Sequence, residues 1–350
     1  MKTSGYRPEE CARAARRGAE FLLRFARKAG HFSEWGSDFL NYFYGVADAA
    51  ADARLRRWAR EAGAGLARRW RDLHPSVPAD ADAETLYDLT YGSLYSDLLG
   101  ARDRAMKRAL REAAARVRPQ DLLWFDPAAE PPPADVPQSC RCGLWNERGR
   151  KTCARCRRRL RMSSRYLIWY VALIRTYMTG RYGVSFGARY ADVLRWLPAL
   201  RPYPAARSHP DFWDAAYAVT HVVYTMNDYD VYRLRPGLLP REYAFLRSNL
   251  AGAVGAEDVE MVGEFLECLK CFGLGARSPL MRAGTDLLLA RQNADGSWGA
   301  TDTGDTYANY HPTLAAAAGL TENRWRAERL AFPELAPLLR RRARPNLLQR

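Results

Sequence analysis

Apolar residues return at three- and four-residue intervals along most of the chain, and no alternating run of strand type persists. Ala and Leu recur in this way through Arg57–Trp70 and Ala101–Val117, so residues 8–125 are predicted to be helical throughout. Residues 126–160 break the pattern. Asp126-Pro-Ala-Ala-Glu-Pro-Pro-Pro fixes φ at each proline and removes backbone donors, which predicts an extended linker. Helical spacing resumes over 161–332, with stops at Gly180, Pro198, Pro202–Pro204, Pro236–Pro240, Gly273–Pro279 and Gly296–Gly299.

The helical stretches are of two kinds. Arg-rich ones such as Ala53–Arg71 are expected to face solvent. Phe39–Ala49, Glu84–Leu99 and Asp211–Thr225 are rich in aromatic residues and poor in charge, so they are expected to be inner helices. About a dozen helices of alternating kind predict an all-α fold of the α/α-toroid type, with a helical bundle as the structural rival. The expected organisation is a first helical part at 1–125, an insert at 126–160 and a second helical part at 161–335. A basic tail follows at 336–350, frayed from Leu338 onward.

The best-defined single segment is Gln292-Asn-Ala-Asp-Gly-Ser-Trp298-Gly299, which follows an amphipathic helix. Asn293, Asp295 and Gly296 tolerate tight or left-handed backbone, so the helix must stop there. Gln292 can bond backbone groups at a helix end, and Trp298 can lay its ring on the next helix while its N–H finds a partner. The segment resembles the QW turn of the terpenoid-cyclase and prenyltransferase superfamily, whose members are α/α toroids. Thr220-His-Val-Val-Tyr-Thr225 and Tyr310-His-Pro-Thr313 are similar to elements of bacterial QW-containing toroid proteins of uncharacterised function. That resemblance covers about the last 190 residues of the 350-residue chain.

The family chemistries leave marks that this chain lacks. Protonating cyclases resemble one another in an Asp-x-Asp-Asp acid, whereas Asp80-Ala-Asp82-Ala83 has no last Asp. Protein prenyltransferases bind catalytic zinc through Asp, Cys and a late His. Asp305 to His311 looks like the late-His portion, but no Asp-x-Cys precedes it in Gly273–Gly299.

Cysteine spacing gives a second signal. Cys140-Arg-Cys142-Gly143 and Cys153-Ala-Arg-Cys156 can converge four thiolates on one tetrahedral zinc, a closed structural site resembling a short zinc ribbon. Arg141, Arg148, Arg150, Lys151, Arg155, Arg157, Arg158 and Arg159 surround it. Cys268-x-x-Cys271 lies in an apolar helical stretch and is expected to be a pair of buried thiols.

Net charge is +15, yet only five of the 54 basic residues are Lys. Arg abundance beside abundant Ala is what a GC-rich coding sequence produces, so nucleic acid is a possible partner without being the favoured one. No apolar run approaches the roughly 18 residues of a membrane span, and the N-terminus has no secretory pattern. A cytoplasmic location is therefore expected.

Of the five histidines, His31 and His74 sit at helix ends and His209 precedes a proline at a helix start. His221 shares a predicted helical face with Thr225 and Asp228 on an otherwise apolar segment, where burial of such groups demands compensation. Glu260 and Glu264 fall one turn apart, and Gly263 between them permits close helix approach. Asp305, Tyr307 and His311 follow the QW turn. These patterns predict a catalytic iron, manganese or zinc held by His221, His311 and one of Glu264, Asp228 or Asp305, with Tyr224 and Tyr307 orienting substrate or moving a proton. The expected function is a metal-dependent enzyme that activates water or dioxygen toward a small molecule or peptide. The alternatives are a terpenoid cyclase or prenyl-transfer enzyme, whose pocket would be lined by Trp35, Tyr42, Phe43, Tyr91, Trp169 and Tyr170, and a non-enzymatic protein binding through its zinc ribbon.

Overall fold

The computed structural model describes residues 7–341, and these are mostly helical. The helices are α1 (Pro8–Arg27), α2 (Ala29–Ala49), α3 (Ala53–Leu73), α4 (Ala83–Leu98), α5 (Arg104–Ala114), α6 (Pro119–Leu123) and α7 (Arg165–Tyr182). They continue as α8 (Tyr190–Leu194), α9 (Phe212–Met226), α10 (Pro240–Gly255), α11 (Val259–Cys271), α12 (Pro279–Arg291), α13 (Thr306–Leu320) and α14 (Ala336–Arg340). Among the described residues, strand pairing is confined to a two-residue parallel pairing of Tyr232–Arg233 with Ala327–Glu328 and a few isolated bridges. The fold class is all-α.

The chain forms two compact units interleaved along the sequence. Unit 1 takes the described part of Met1–Ser76, Tyr91–Met106 and Met226–Ala331. Unit 2 takes Val77–Thr90, Lys107–Thr225 and the described part of Phe332–Arg350. The sequence segments 1–125 and 161–335 are each shared between the two. Of the expected basic tail, 336–340 is helical, and 342–350 lies outside the described residues.

The two kinds of helix behave as their patterns require. In α3, Leu55, Ala59, Gly63, Leu66, Ala67 and Trp70 form one buried stripe, and the arginines occupy the rest of the surface. Asp52 starts the helix by accepting from the N–H groups of Arg54 (2.7 Å) and Leu55 (3.2 Å). In α9, by contrast, Phe212, Ala215, Ala216, Ala218, Val219, Val222, Val223 and Met226 are buried over most of the circumference, and only a stripe through Trp213, Tyr217 and His221 is half-buried.

The Pro-rich segment is non-helical, as expected, but it is not a loose linker. Pro132, Pro133, Val136 and Pro137 are buried. The Trp196 indole donates to the Pro127 carbonyl at 2.9 Å. Within unit 2 the segment is thus packed backbone, held where its lack of helical bonding is compensated by side-chain donors.

In unit 1 the turn Gln292–Gly299 joins three helices. Gln292 Nε2 donates to the carbonyls of Ala14 in α1 (2.8 Å) and Gly296 (3.0 Å). Trp298 is fully buried, and its Nε1 donates to Leu288 in α12 at 2.7 Å. Its backbone N–H donates to the Thr313 hydroxyl in α13 at 2.9 Å. Gly296 holds φ +95°, and a β-carbon there would come within 2.6 Å of the Arg17 carbonyl oxygen, so both backbone sign and space require glycine.

Candidate metal centres

The geometry of the first centre begins at a helix crossing. A β-carbon on Gly263 would lie 2.4 Å from the Ala315 carbonyl oxygen, and one on Gly319 would lie 2.6 Å from the Gly263 oxygen. Helices α11 and α13 therefore touch backbone to backbone at small residues. Glu264 follows the crossing on α11, Glu260 precedes it by a turn, and His311 lies one turn before Ala315 on α13. The sequence places chemistry-bearing side chains immediately beside the closest approach.

Glu260, Glu264 and His311 each offer a ligand atom within 4.8 Å of the others. His311 Nδ1 stands 3.0 Å from Glu260 Oε1, with side-chain exposures of 15% and 21%, so solvent reaches the group. This is an ion-pair distance whose angle does not make a hydrogen bond, and Nδ1 is without an aligned partner. Bonds of about 2.1 Å to one octahedral ion place neighbouring ligands roughly 3.0 Å apart, so the spacing suits a first-row metal. Burial draws the His311 imidazole down, but Glu260 first, then Glu264 and Asp38, overcome it and leave the ring above its ordinary range.

An aromatic wall closes the other side. The Tyr307 ring stacks on His311 with centroids 4.4 Å apart, and Trp35 lies 5.1 Å from Tyr307. The buried Trp35 Nε1 also has no hydrogen-bond partner. Tyr310 donates its hydroxyl to Asp38 at 2.5 Å and packs its ring on Phe39. Burial raises the Asp38 carboxyl, partly opposed by that hydrogen bond.

Several predicted site residues fall elsewhere. His221 belongs to unit 2, where its Nδ1 lies 2.7 Å from the Tyr217 carbonyl and its ring stacks on Tyr170. Tyr224 meets the same ring edge-on at 5.6 Å. Among the described residues His221 joins no group of three ligands. It is only half-buried, and its polar ring is compensated locally, one turn back along α9. Asp228 does not share the helical face of His221, because α9 ends at Met226 and Asp228, Tyr229 and Asp230 all take positive φ. Asp305 is the N-cap of α13, accepting from Tyr307 and Ala308, and stays exposed.

Glu264, Tyr307 and His311 do come together, and the structure adds Glu260, Asp38 and Trp35. The spacing of Glu260 from Glu264 was the available signal for the first. Asp38, an isolated carboxylate on an aromatic helix, carried the same signal that singled out His221. Cys268 and Cys271 are buried and form no disulfide, and burial first holds both thiols well above the ordinary range, with Cys271 and acidic groups adding to it at Cys268 and Asp230 at Cys271.

The second centre lies in unit 2. The sulfurs of Cys140, Cys142, Cys153 and Cys156 all lie within 4.8 Å of one another, so the four can hold a metal ion. Cys140 and Cys156 sulfurs are 3.4 Å apart, and those of Cys142 and Cys153 are 3.7 Å apart. A tetrahedral ion with bonds of about 2.3 Å needs edges of roughly 3.8 Å. No disulfide links them. Gly143 turns the first knuckle at φ +81°, its N–H returning to the Cys140 carbonyl at 2.7 Å. The Cys156 and then Arg155 backbone N–H groups outweigh burial at Cys153 and bring its thiol down to about 6. Leu160 and the half-buried Leu144 and Met162 pack against the cysteines as a small core. Cys153→Ser is expected to abolish metal release on thiol modification, measured with a chromogenic chelator, against about one equivalent from the native chain.

No family model, curated protein or solved structure matches the chain. Among the described residues, no helix is long and apolar enough to cross a membrane.

Proposed function

We propose that this chain is a metal-dependent enzyme whose reaction centre is Glu260, Glu264 and His311. The carrying observation is the convergence of two carboxylates and an imidazole beside the α11–α13 crossing, with Nδ1 lacking an aligned hydrogen-bond partner. Two hard carboxylate donors and one imidazole suit Mn, Fe or Zn and leave coordination positions for substrate or water. A bound ion would supply Lewis acidity toward water or dioxygen. Tyr307 covers the imidazole face and orients a small molecule or peptide. The Tyr310–Asp38 pair keeps a proton close to the centre. The four-cysteine site is read as structural zinc, since a closed tetrahedral sulfur set has no open position. The alternation of Arg-rich and aromatic-rich helices, with the QW turn joining three of them, supports an α/α toroid as the frame.

Titration of chelator-treated, desalted protein with Mn(II), followed by loss of the free-ion paramagnetic resonance signal, tests this reading. One site is expected in the native chain. Glu264→Gln and His311→Gln are each expected to weaken it more than about 100-fold, beyond what an outer-sphere contact contributes. Equal binding in native and variant proteins would remove the centre.

A further inference from the structure

We infer that the four-cysteine module is a binding surface for single-stranded nucleic acid, with Trp145 as its stacking platform. The module has a conspicuous exposed ring. Trp145 is 64% exposed, against 45% for Leu73 and 39% for Leu98, the other exposed large apolar residues among those described. Each base has a π-face, and a solvent-facing indole offers it a partner without sequence preference.

The charge of the module is predominantly positive. Residues 139–161 carry nine cations and one carboxylate, Glu147, a net +8. Four thiolates around a divalent ion add −2, which leaves about +6. Arg148 is engaged with Glu130 and Asp135 at 2.7 Å each. Arg141, Arg150, Lys151, Arg157, Arg158 and Arg159 are exposed. Backbone pairing gathers them. Thr152 bridges Arg159 in antiparallel sense, and Leu160 N–H reaches the Lys151 carbonyl at 2.9 Å, so the pairs 150–151 and 158–159 lie on adjacent backbone segments.

Two contacts join the segment that carries Trp145 to the second cysteine pair. Ala154 N–H donates to Asn146 Oδ1 at 2.9 Å, and Arg155 reaches the Cys142 carbonyl at 3.3 Å. A lone exposed ring among many cations fits a phosphate backbone with splayed bases. It fits a bilayer poorly, because Leu144 and Met162 pack inward and no apolar face accompanies the ring.

Fluorescence anisotropy of labelled twelve-residue oligothymidine and oligouridine with the full zinc-loaded chain tests the proposal. A Kd of about 1–100 µM near physiological salt is expected, rising steeply as salt is added. Trp145→Ala should weaken binding roughly 5- to 150-fold, while Trp145→Phe retains most of it. Replacing Arg157, Arg158 and Arg159 together by Ala should flatten the logarithmic salt slope by about 2, from roughly 0.7 per phosphate contact. Zinc content and melting temperature should be unchanged in all three, because the replaced side chains are exposed. Absence of binding, indifference to Trp145→Ala, or tighter binding to anionic vesicles or polyglutamate would overturn it.

Discussion

Trp298→Ala is expected to lower the unfolding free energy of unit 1 by about 3–5 kcal/mol, the range for deleting a buried aromatic. The indole is wholly buried, and its Cζ3 lies where a β-carbon on Gly18 would approach to 2.8 Å. Alanine leaves a cavity between α1, α12 and α13 and orphans the Leu288 carbonyl that Nε1 now satisfies. Close packing prevents the three helices from collapsing into the gap without shifting one another. The melting transition should fall by roughly 6–20 °C in a thermal scan followed by circular dichroism. A shift within about 2 °C would mean that the turn is peripheral to the fold.

Gly263→Val should be almost as costly and more informative. The new side chain starts 2.4 Å from the Ala315 carbonyl oxygen and 2.5 Å from its carbon, both backbone atoms that no rotamer change can move aside. The helices must separate, at an expected cost of about 3 kcal/mol or more. Because Glu264 and His311 flank the crossing, the same separation pulls the ligand set apart. Metal binding should therefore be lost even at temperatures where the variant remains folded. Gly284→Ala is the control. The atoms nearest its β-carbon all belong to the Leu266 side chain, the closest at 3.0 Å, so only a side chain and not backbone must give way. A Gly263 variant with native metal affinity would separate the crossing from the centre.

Much of this was legible in the residues. Helical periodicity gave the all-α class because Leu55, Ala59, Leu66 and Trp70 cannot share a face in any other regular element. The turn residues Asn293 to Gly299 specified their own stop, and the Cys140–Cys156 spacing specified a four-sulfur cluster. Gly263 beside Glu260 and Glu264 pointed to a close helix approach with carboxylates on it. The pairing of distant elements was not legible. His221 and His311 look alike in one dimension, but one satisfies its Nδ1 against its own helix and the other faces Glu260 across a crossing. Asp228 was misplaced because periodicity does not register three successive left-handed residues at a helix end. The interleaving of the two units was equally hidden, since both are built from the same kinds of helix.

The claim that one chain carries two metal centres of different chemistry is tested most directly by metal content. Elemental mass spectrometry on purified native protein, Cys153→Ser and His311→Ala is the measurement, with folding checked by circular dichroism. Two equivalents are expected in the native chain, one of them zinc. Cys153→Ser should lose that zinc alone, and His311→Ala should lose only the other ion. A native chain that holds a single zinc after saturation with Mn, Fe and Zn, with His311→Ala indistinguishable from it, would contradict the catalytic centre and leave the cysteine site as the protein's one metal.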